Sequence, residues 1–292
     1  MKSFGDYNPI AVFLFYAGVT VTVMFSMDPV LLALSLAGSL AVYALVLGKA
    51  GRRGLWFYLV LPVILGLGNP LFNHNGVTVL LIINNNPITL ESMCYGFAMG
   101  VMLTSVMLWF RSFSEIMTSD KLLYLFGSVS PKLALILSMT LRYIPLFRTQ
   151  IRKTQQAQKA LGLYKEDSIP DNIRGGIRIF SVMVSWALEN GVITADSMTA
   201  RGYGTKRRSR FAIFRFRRED GVLLAVSVLL AALTLTASGM GAMNFEWYPA
   251  IRGADPSVMR WVGYISYGAL CVLPLILEGK EALRWKSLQS AI

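Results

Sequence analysis

The sequence predicts an all-α membrane protein, with about six transmembrane helices and a cytoplasmic module of two long helices. Three observations carry that expectation. Hydrophobic residues make up 54% of the 292 and charged residues 15%, with a mean hydropathy of +0.53, a balance that soluble domains of this size do not show. Apolar runs close to the length of a bilayer span recur along the chain. Nearly all Lys and Arg residues fall between those runs and on one expected side.

The first run, residues 9–26, is long enough to cross the roughly 30 Å hydrocarbon layer. Met27-Asp28-Pro29 follows it, not a small-x-small cleavage site, so a span is expected here and not a signal peptide. Asp28-Pro29 turns the chain into a second run, 30–47, closed by Lys49, Arg52 and Arg53. A third run, 55–67, is short and carries Pro62. Residues 68–91 are polar and free of Lys and Arg. Within them Val77 to Ile83, between Asn75-Gly76 and Asn84-Asn85-Asn86-Pro87, reads as an apolar strand or re-entrant piece. His74 is the only histidine, and it has no cysteine or carboxylate cluster beside it in the sequence, so it reads as a loop residue. A fourth span covers 92–110, and residues 1–111 form the first membrane part.

Residues 112–219 are the cytoplasmic module. Lys121 to Phe126 reads as a short amphipathic helix on the membrane surface. Leu133, Leu137, Leu141, Ile144, Phe147 and Ile151 recur in steps of three and four along one helix face, with a kink expected at Pro145. After a polar turn around Asp167 to Asn172, the residues Ile173, Ile177, Phe180, Val184 and Leu188 repeat the pattern, and Gly191 is expected to bend that helix. The basic run Lys206 to Arg210 with Arg215, Arg217 and Arg218 is a juxtamembrane cluster of the kind found on cytoplasmic sides. Residues 220–292 hold the last two spans, 221–238 and 258–277, and a charged tail.

With this layout 26 of the 28 Lys and Arg residues lie in the cytoplasm, leaving only Arg252 and Arg260 outside. Both termini are then cytoplasmic, in a multi-pass protein of the cell membrane. The formal charge of +12 reports cytoplasmic loops and the anionic inner leaflet, and no nucleic-acid partner is expected. Cys94 and Cys271 both lie in apolar runs and read as buried thiols; no metal site is expected. The chain has no phosphate-binding Gly-x-x-x-x-Gly-Lys loop, no His-Glu-x-x-His and no Gly-x-Ser-x-Gly. Its spans carry almost no ionisable residues, which proton and ion pathways require. A membrane-embedded enzyme, with the outer-loop asparagines as its nearest polar group, and a stand-alone secondary transporter or channel remain the alternatives.

Two short endings stand out. Gln156 to Gly162 and Asp196 to Gly204 each follow a helical pattern and stop at a glycine, which takes the left-handed conformation past a helix end without penalty. Arg201 falls in a last helical turn, where a cation complements the helix dipole. An arginine before a capping glycine is also ordinary helix termination. The second reading is a small, basic, backbone-exposing tip that enters a groove on another protein.

On these residues, together with Asn8-Pro9 and Leu141-Arg142-Tyr143-Ile144-Pro145, the chain resembles the transmembrane T-component of energy-coupling factor (ECF) transporters, the CbiQ/EcfT family, over essentially its whole length. The resemblance implies an ABC-type importer of a vitamin or metal ion, in which this chain is the non-catalytic coupling subunit. It implies that the two long helices cross and act as coupling helices, each docking one of two ATP-binding subunits. A membrane-embedded substrate-binding S-component completes the assembly, and ATP is bound by the partners, with no cofactor on this chain. By the same resemblance Ala200, Arg201 and Gly202 form the second docking tip and Ala160, Leu161 and Gly162 the first. Arg142, Gln158, Asp196 and Tyr203 support them. Leu161 stands where the family has arginine, so the first tip departs from the pattern.

Overall fold

The computed structural model describes residues 4–83, 86–162, 169–204, 214, 216–253 and 257–289. After a short turn at Phe4–Asp6 come α1 (Pro9–Met24), α2 (Pro29–Phe72), the strands β1 (Val79–Ile83) and β2 (Asn86–Thr89), and α3 (Leu90–Ile116). Then follow α4 (Ser119–Val129), α5 (Pro131–Ala160), α6 (Ile169–Ala200), α7 (Arg218–Gly239) and α8 (Val258–Gln289). The chain divides into two compact units, residues 1–122 with 214–292, and residues 123–213.

The first unit is a helical bundle built around α1. Asn8 caps that helix, its Oδ1 accepting from the Ile10 N–H at 3.0 Å, with Pro9 in the first turn where no N–H is needed. The Asn8 N–H in turn donates to Asp220 Oδ1 at 3.0 Å, while Asp220 Oδ2 accepts from the Arg217 N–H at 2.8 Å. One carboxylate therefore caps α7 and ties it to the start of α1. Beyond this polar end α1 is apolar all round, and Ala11, Val12, Phe15, Val19 and Val23 are fully buried. Phe15 and Tyr16 meet the indole of Trp109 on α3 edge-on at 6.1 and 6.0 Å.

Helix α2 breaks at Gly48, where φ is +54°, into arms Pro29–Gly48 and Gly54–Phe72. The second arm lies against α3 so closely that a Cβ at Gly100 would fall 2.5 Å from Pro62 Cα; small residues permit this approach between apolar helices. The strands pair antiparallel, Ile83 opposite Asn86 and Val79 opposite Thr89, so the expected strand is half of a hairpin. Asn86-Pro87, read from sequence as a turn, lies within β2; Asn84 and Asn85 fall outside the described residues. Asn69 Nδ2 donates to the Ser92 carbonyl at 2.7 Å, and Asn73 Nδ2 to the Tyr248 hydroxyl at 3.2 Å. Glu91 accepts from Thr78 Oγ1 at 2.6 Å. Asn69 and Asn73 thus hold the end of α2 to the start of α3 and to the loop before α8.

Asp28, fully buried, caps α2 through Oδ1, which accepts from the Val30 N–H at 2.9 Å. Its Oδ2 accepts from Arg260 Nη2 at 3.2 Å and from the Tyr264 hydroxyl at 2.7 Å, linking the α1–α2 turn to α8. At the other end of the bundle Lys121 donates to the carbonyls of Gly5 at 2.6 Å and Ile116 at 2.7 Å. Burial lowers the pKa of this ammonium, with Asp6 pulling in the opposite direction.

Among the described residues six helices are long and apolar enough to cross a membrane: Pro29–Gly48, Gly54–Phe72, Leu90–Ile116, Asp171–Ala200, Arg218–Gly239 and Val258–Lys280. The short third run thus reaches 19 residues, because it continues through Pro70 to Phe72. The set differs from the sequence expectation at two helices. Pro9–Met24 is the shorter helix at 16 residues, about 24 Å at 1.5 Å per residue. Asp171–Ala200 enters the set because an apolar stripe raises its hydropathy, although it lies in the second unit.

The second unit holds α5 and α6, with the end of α4, the expected short helix, before them. Helix α5 is continuous through Pro145, which offers no N–H to the Leu141 carbonyl. Helix α6 corrects two expectations. It begins at Ile169, inside the stretch read as a turn, and it runs unbroken past Gly191. A glycine within a long helix lowers its stability by about 1 kcal/mol without bending it, and the flanking turns supply the missing stability. The basic run Lys206 to Arg210 and Arg215 lie outside the described residues.

Candidate functional site

The site is built on two helices, which touch at the middle of α5 and along the second half of α6. The Tyr143 hydroxyl lies 2.8 Å from Thr194 Oγ1, and the Phe147 ring meets Trp186 edge-on at 5.5 Å. Moving forward along α5 from Tyr143 to Phe147 means moving backward along α6, so the two helices run in opposing directions. Thr194 Oγ1 also donates to the Asn190 carbonyl at 2.7 Å, so its hydroxyl is held in place for Tyr143. Ile179 and Met183 are the buried hydrophobic residues of α6.

The apolar residues singled out from sequence on α6 lie elsewhere on its surface. Ile173, Ile177, Phe180 and Leu188 are 59–70% exposed. The inward positions, with Trp186, Asn190 and Thr194, form a more polar stripe that periodicity of apolar residues alone does not pick out. A long, outward apolar face remains.

Both helices end in the same way. At the first ending Ala160 closes α5, Leu161 is the cap residue, and Gly162 has φ of +68° while its N–H donates to the Lys159 carbonyl at 3.0 Å. At the second ending Ala200 closes α6, and Gly202 has φ of +76° with its N–H donating to the Thr199 carbonyl at 2.9 Å. The Tyr203 N–H adds a bond to the Met198 carbonyl at 3.0 Å. This pairing of turn bonds requires the left-handed glycine, and a side chain there would cost about 1–2 kcal/mol. Leu161 is 72% exposed and Arg201 is exposed, so the residue before each glycine is presented outward.

The opposing directions set the two endings apart. Leu161 lies 18 residues beyond Tyr143, about 27 Å of helix, and Gly202 lies 8 residues beyond Thr194, about 12 Å the other way. The tips therefore stand at opposite ends of the pair, on the order of 40 Å apart at most.

The supporting residues divide. Arg142 and Asp196 are exposed on α5 and α6, each within two residues of the Tyr143–Thr194 contact. Gln158 is buried one turn before the first tip, and its Oε1 has no hydrogen-bond partner among the described residues. Tyr203 contributes through its backbone to the second tip. No group of three or more His, Cys, Asp or Glu that could hold a metal ion occurs among the described residues. The Asp28–Arg260–Tyr264 cluster was missed in the sequence. Its only signal was that Arg260 is one of just two basic residues expected on that side, 232 positions from its partner.

A family profile described as CbiQ, cobalt transport protein, matches residues 7–213. The energy-coupling factor transporter transmembrane protein EcfT of Listeria innocua is 36% identical over 104 residues, 35% of this chain and 39% of its own. The protein of the same name from Bacillus selenitireducens is 31% identical over 112 residues, 38% of this chain and 42% of its own. That of Limosilactobacillus fermentum is 28% identical over 108 residues, 36% of this chain and 40% of its own. The chain thus spans about two fifths of the length of the curated relatives it matches.

Proposed function

Because the chain belongs to the CbiQ cobalt transport protein family, we propose that it is the transmembrane T-component of an energy-coupling factor importer. In this reading it carries no catalytic group of its own. It transmits the ATP-driven motion of two cytoplasmic ATP-binding subunits to a membrane-embedded S-component, which then releases a vitamin or metal ion inside the cell. The observation that carries the proposal is the pair of matching glycine-ended tips at opposite ends of α5 and α6. Two separated tips of one kind suit two copies, or two homologues, of one partner.

The mechanism follows from stiffness and contact. When the ATP-binding subunits move, each tip moves with its partner, and the Tyr143–Thr194 and Phe147–Trp186 contacts carry that displacement between the helices. The outward apolar face of α6 offers the S-component a surface that slides with little directional preference, since apolar contact is non-directional. We read α1 as a span in spite of its length, because it is buried within the bundle, and α6 as part of the cytoplasmic module. Both termini and the tips then face the cytoplasm.

The test is purification of the tagged chain in mild detergent from cells expressing the whole set. About two ATP-binding subunits should accompany each chain. Recovery of the chain without any nucleotide-binding protein would contradict the proposal.

A further inference from the structure

An apolar cavity of about 780 Å³ opens in the first unit between the two arms of α2 and the start of α3. Leu32, Ala98 and Val101 form its buried floor, while Leu67, Leu80 and Phe97 around it are half exposed. Trp247 completes the lining from the loop before α8, fixed by its Nε1–H donating to the Met27 carbonyl at 3.1 Å. Among the described residues no charged side chain lines it. Water gains nothing in such a space, because it would find none of the two to four polar partners that hold a buried water.

Along α3 the lining runs from Leu90 to Val101, twelve residues rising about 16 Å. That is half of the roughly 30 Å hydrocarbon layer, the depth of one leaflet. The cavity starts at the hairpin end of the bundle, at Pro29 and Leu90, where aromatic residues of the interface are expected and Trp247 stands. A leaflet-deep apolar slot with a tryptophan at its hairpin end matches a phospholipid acyl chain in length and in polarity.

We propose that this cavity holds the acyl chain of a phospholipid from the leaflet on the hairpin side, with its headgroup at the level of Trp247. The lipid fills space that the helices leave open, and it fixes the second arm of α2 against α3. The proposal is independent of whether the chain couples ATP-binding subunits.

The full chain, purified in mild detergent, tests this by native mass spectrometry. About one phospholipid per chain should remain on the wild type. Ala33 lies exposed in the lining, so Ala33→Phe fills the slot without touching the buried floor, and retention should fall at least fivefold. Leu59→Phe, at an exposed position outside the cavity, should leave retention unchanged. A second measurement needs no cavity variant. In vesicles of phosphatidylcholine brominated along its chains, the emission lost on Trp247→Phe gives the Trp247 component, which should be quenched relative to plain phosphatidylcholine. Equal retention by wild type and Ala33→Phe would overturn the proposal, as would an unquenched Trp247 component. A photo-cross-linker at Leu67 that captures a polypeptide and no lipid in native membranes would assign the cavity to a protein partner and overturn it too.

Discussion

Asp28→Asn removes one charge from a cluster that joins the α1–α2 turn to α8, and its effect can be worked from the contacts. The amide oxygen can still cap α2, since Asp28 Oδ1 takes the Val30 N–H at 2.9 Å. The new amide nitrogen replaces Oδ2, which takes Arg260 Nη2 at 3.2 Å and the Tyr264 hydroxyl at 2.7 Å. Two donors then meet a third. Hydrogen bonds to charged groups contribute about 1.5–3 kcal/mol each, and breaking a buried ion pair from one side costs about 3–5 kcal/mol. Arg260 keeps some access to solvent, at 17% side-chain exposure, so the lower end applies, about 3 kcal/mol. For a unit of this size that is a fall of roughly 6–12 °C in Tm. Cys271 is 2% exposed and reports unfolding through a thiol-reactive dye in a Cys94→Ser background. Arg260→Met should destabilise alone, yet cost about 2 kcal/mol less once Asp28→Asn is present. Additive effects of the two substitutions, or a Tm within 2 °C of wild type for Asp28→Asn, would refute the reasoning.

Other expected outcomes follow from the second unit and from topology. Gly202→Val forces a branched side chain into φ of +76°, costing about 1–2 kcal/mol locally, and should fray the α6 tip and reduce recovery of partner subunits, whereas Gly191→Ala should not. Tyr143→Phe and Thr194→Val should each weaken ATP-driven uptake, and the double variant should be no worse than either, because they break the same 2.8 Å bond. Cysteines placed at Ser209 and Gln289 should be protected from an impermeant thiol reagent in sealed cells while one at Asn85 reacts; labelling at Ser209 would reverse the orientation.

Where one physical rule dominates, the sequence was legible. Hydropathy reported five of the six expected spans, missing the shortness of α1 and the apolar stripe of α6, and the glycines at 162 and 202 reported both helix ends, because positive φ past a helix has few other solutions. The α6 surface was only half legible. Ile173, Ile177, Phe180 and Leu188 follow helical spacing, but spacing cannot say whether a stripe faces a neighbour or the outside, and this one faces outside. Gly191 was read as a bend because glycine is a poor helix former, yet the turns on either side outweigh a single residue. The start of β2 was hidden by its Asn-Pro composition, which signals turns, although an edge strand accepts proline. The Asp28–Arg260 pair was invisible for a different reason: contacts across 232 residues leave no local pattern.

Arg201 is where the account of the tips is most exposed to failure. If the α6 tip docks an ATP-binding subunit, the exposed guanidinium contributes a charged hydrogen bond of about 1.5–3 kcal/mol, a ten- to hundred-fold change in affinity. Leu161 at the other tip can offer only apolar contact, so Leu161→Arg should be tolerated or tighten the complex. The direct measurement is co-purification of ATP-binding subunits, with uptake, for Arg201→Glu against wild type at matched membrane levels. Reduced recovery of ATP-binding subunits and loss of uptake is the predicted result. Wild-type assembly and uptake in Arg201→Glu would leave Arg201 as a helix-terminating residue and contradict the docking role of the tip.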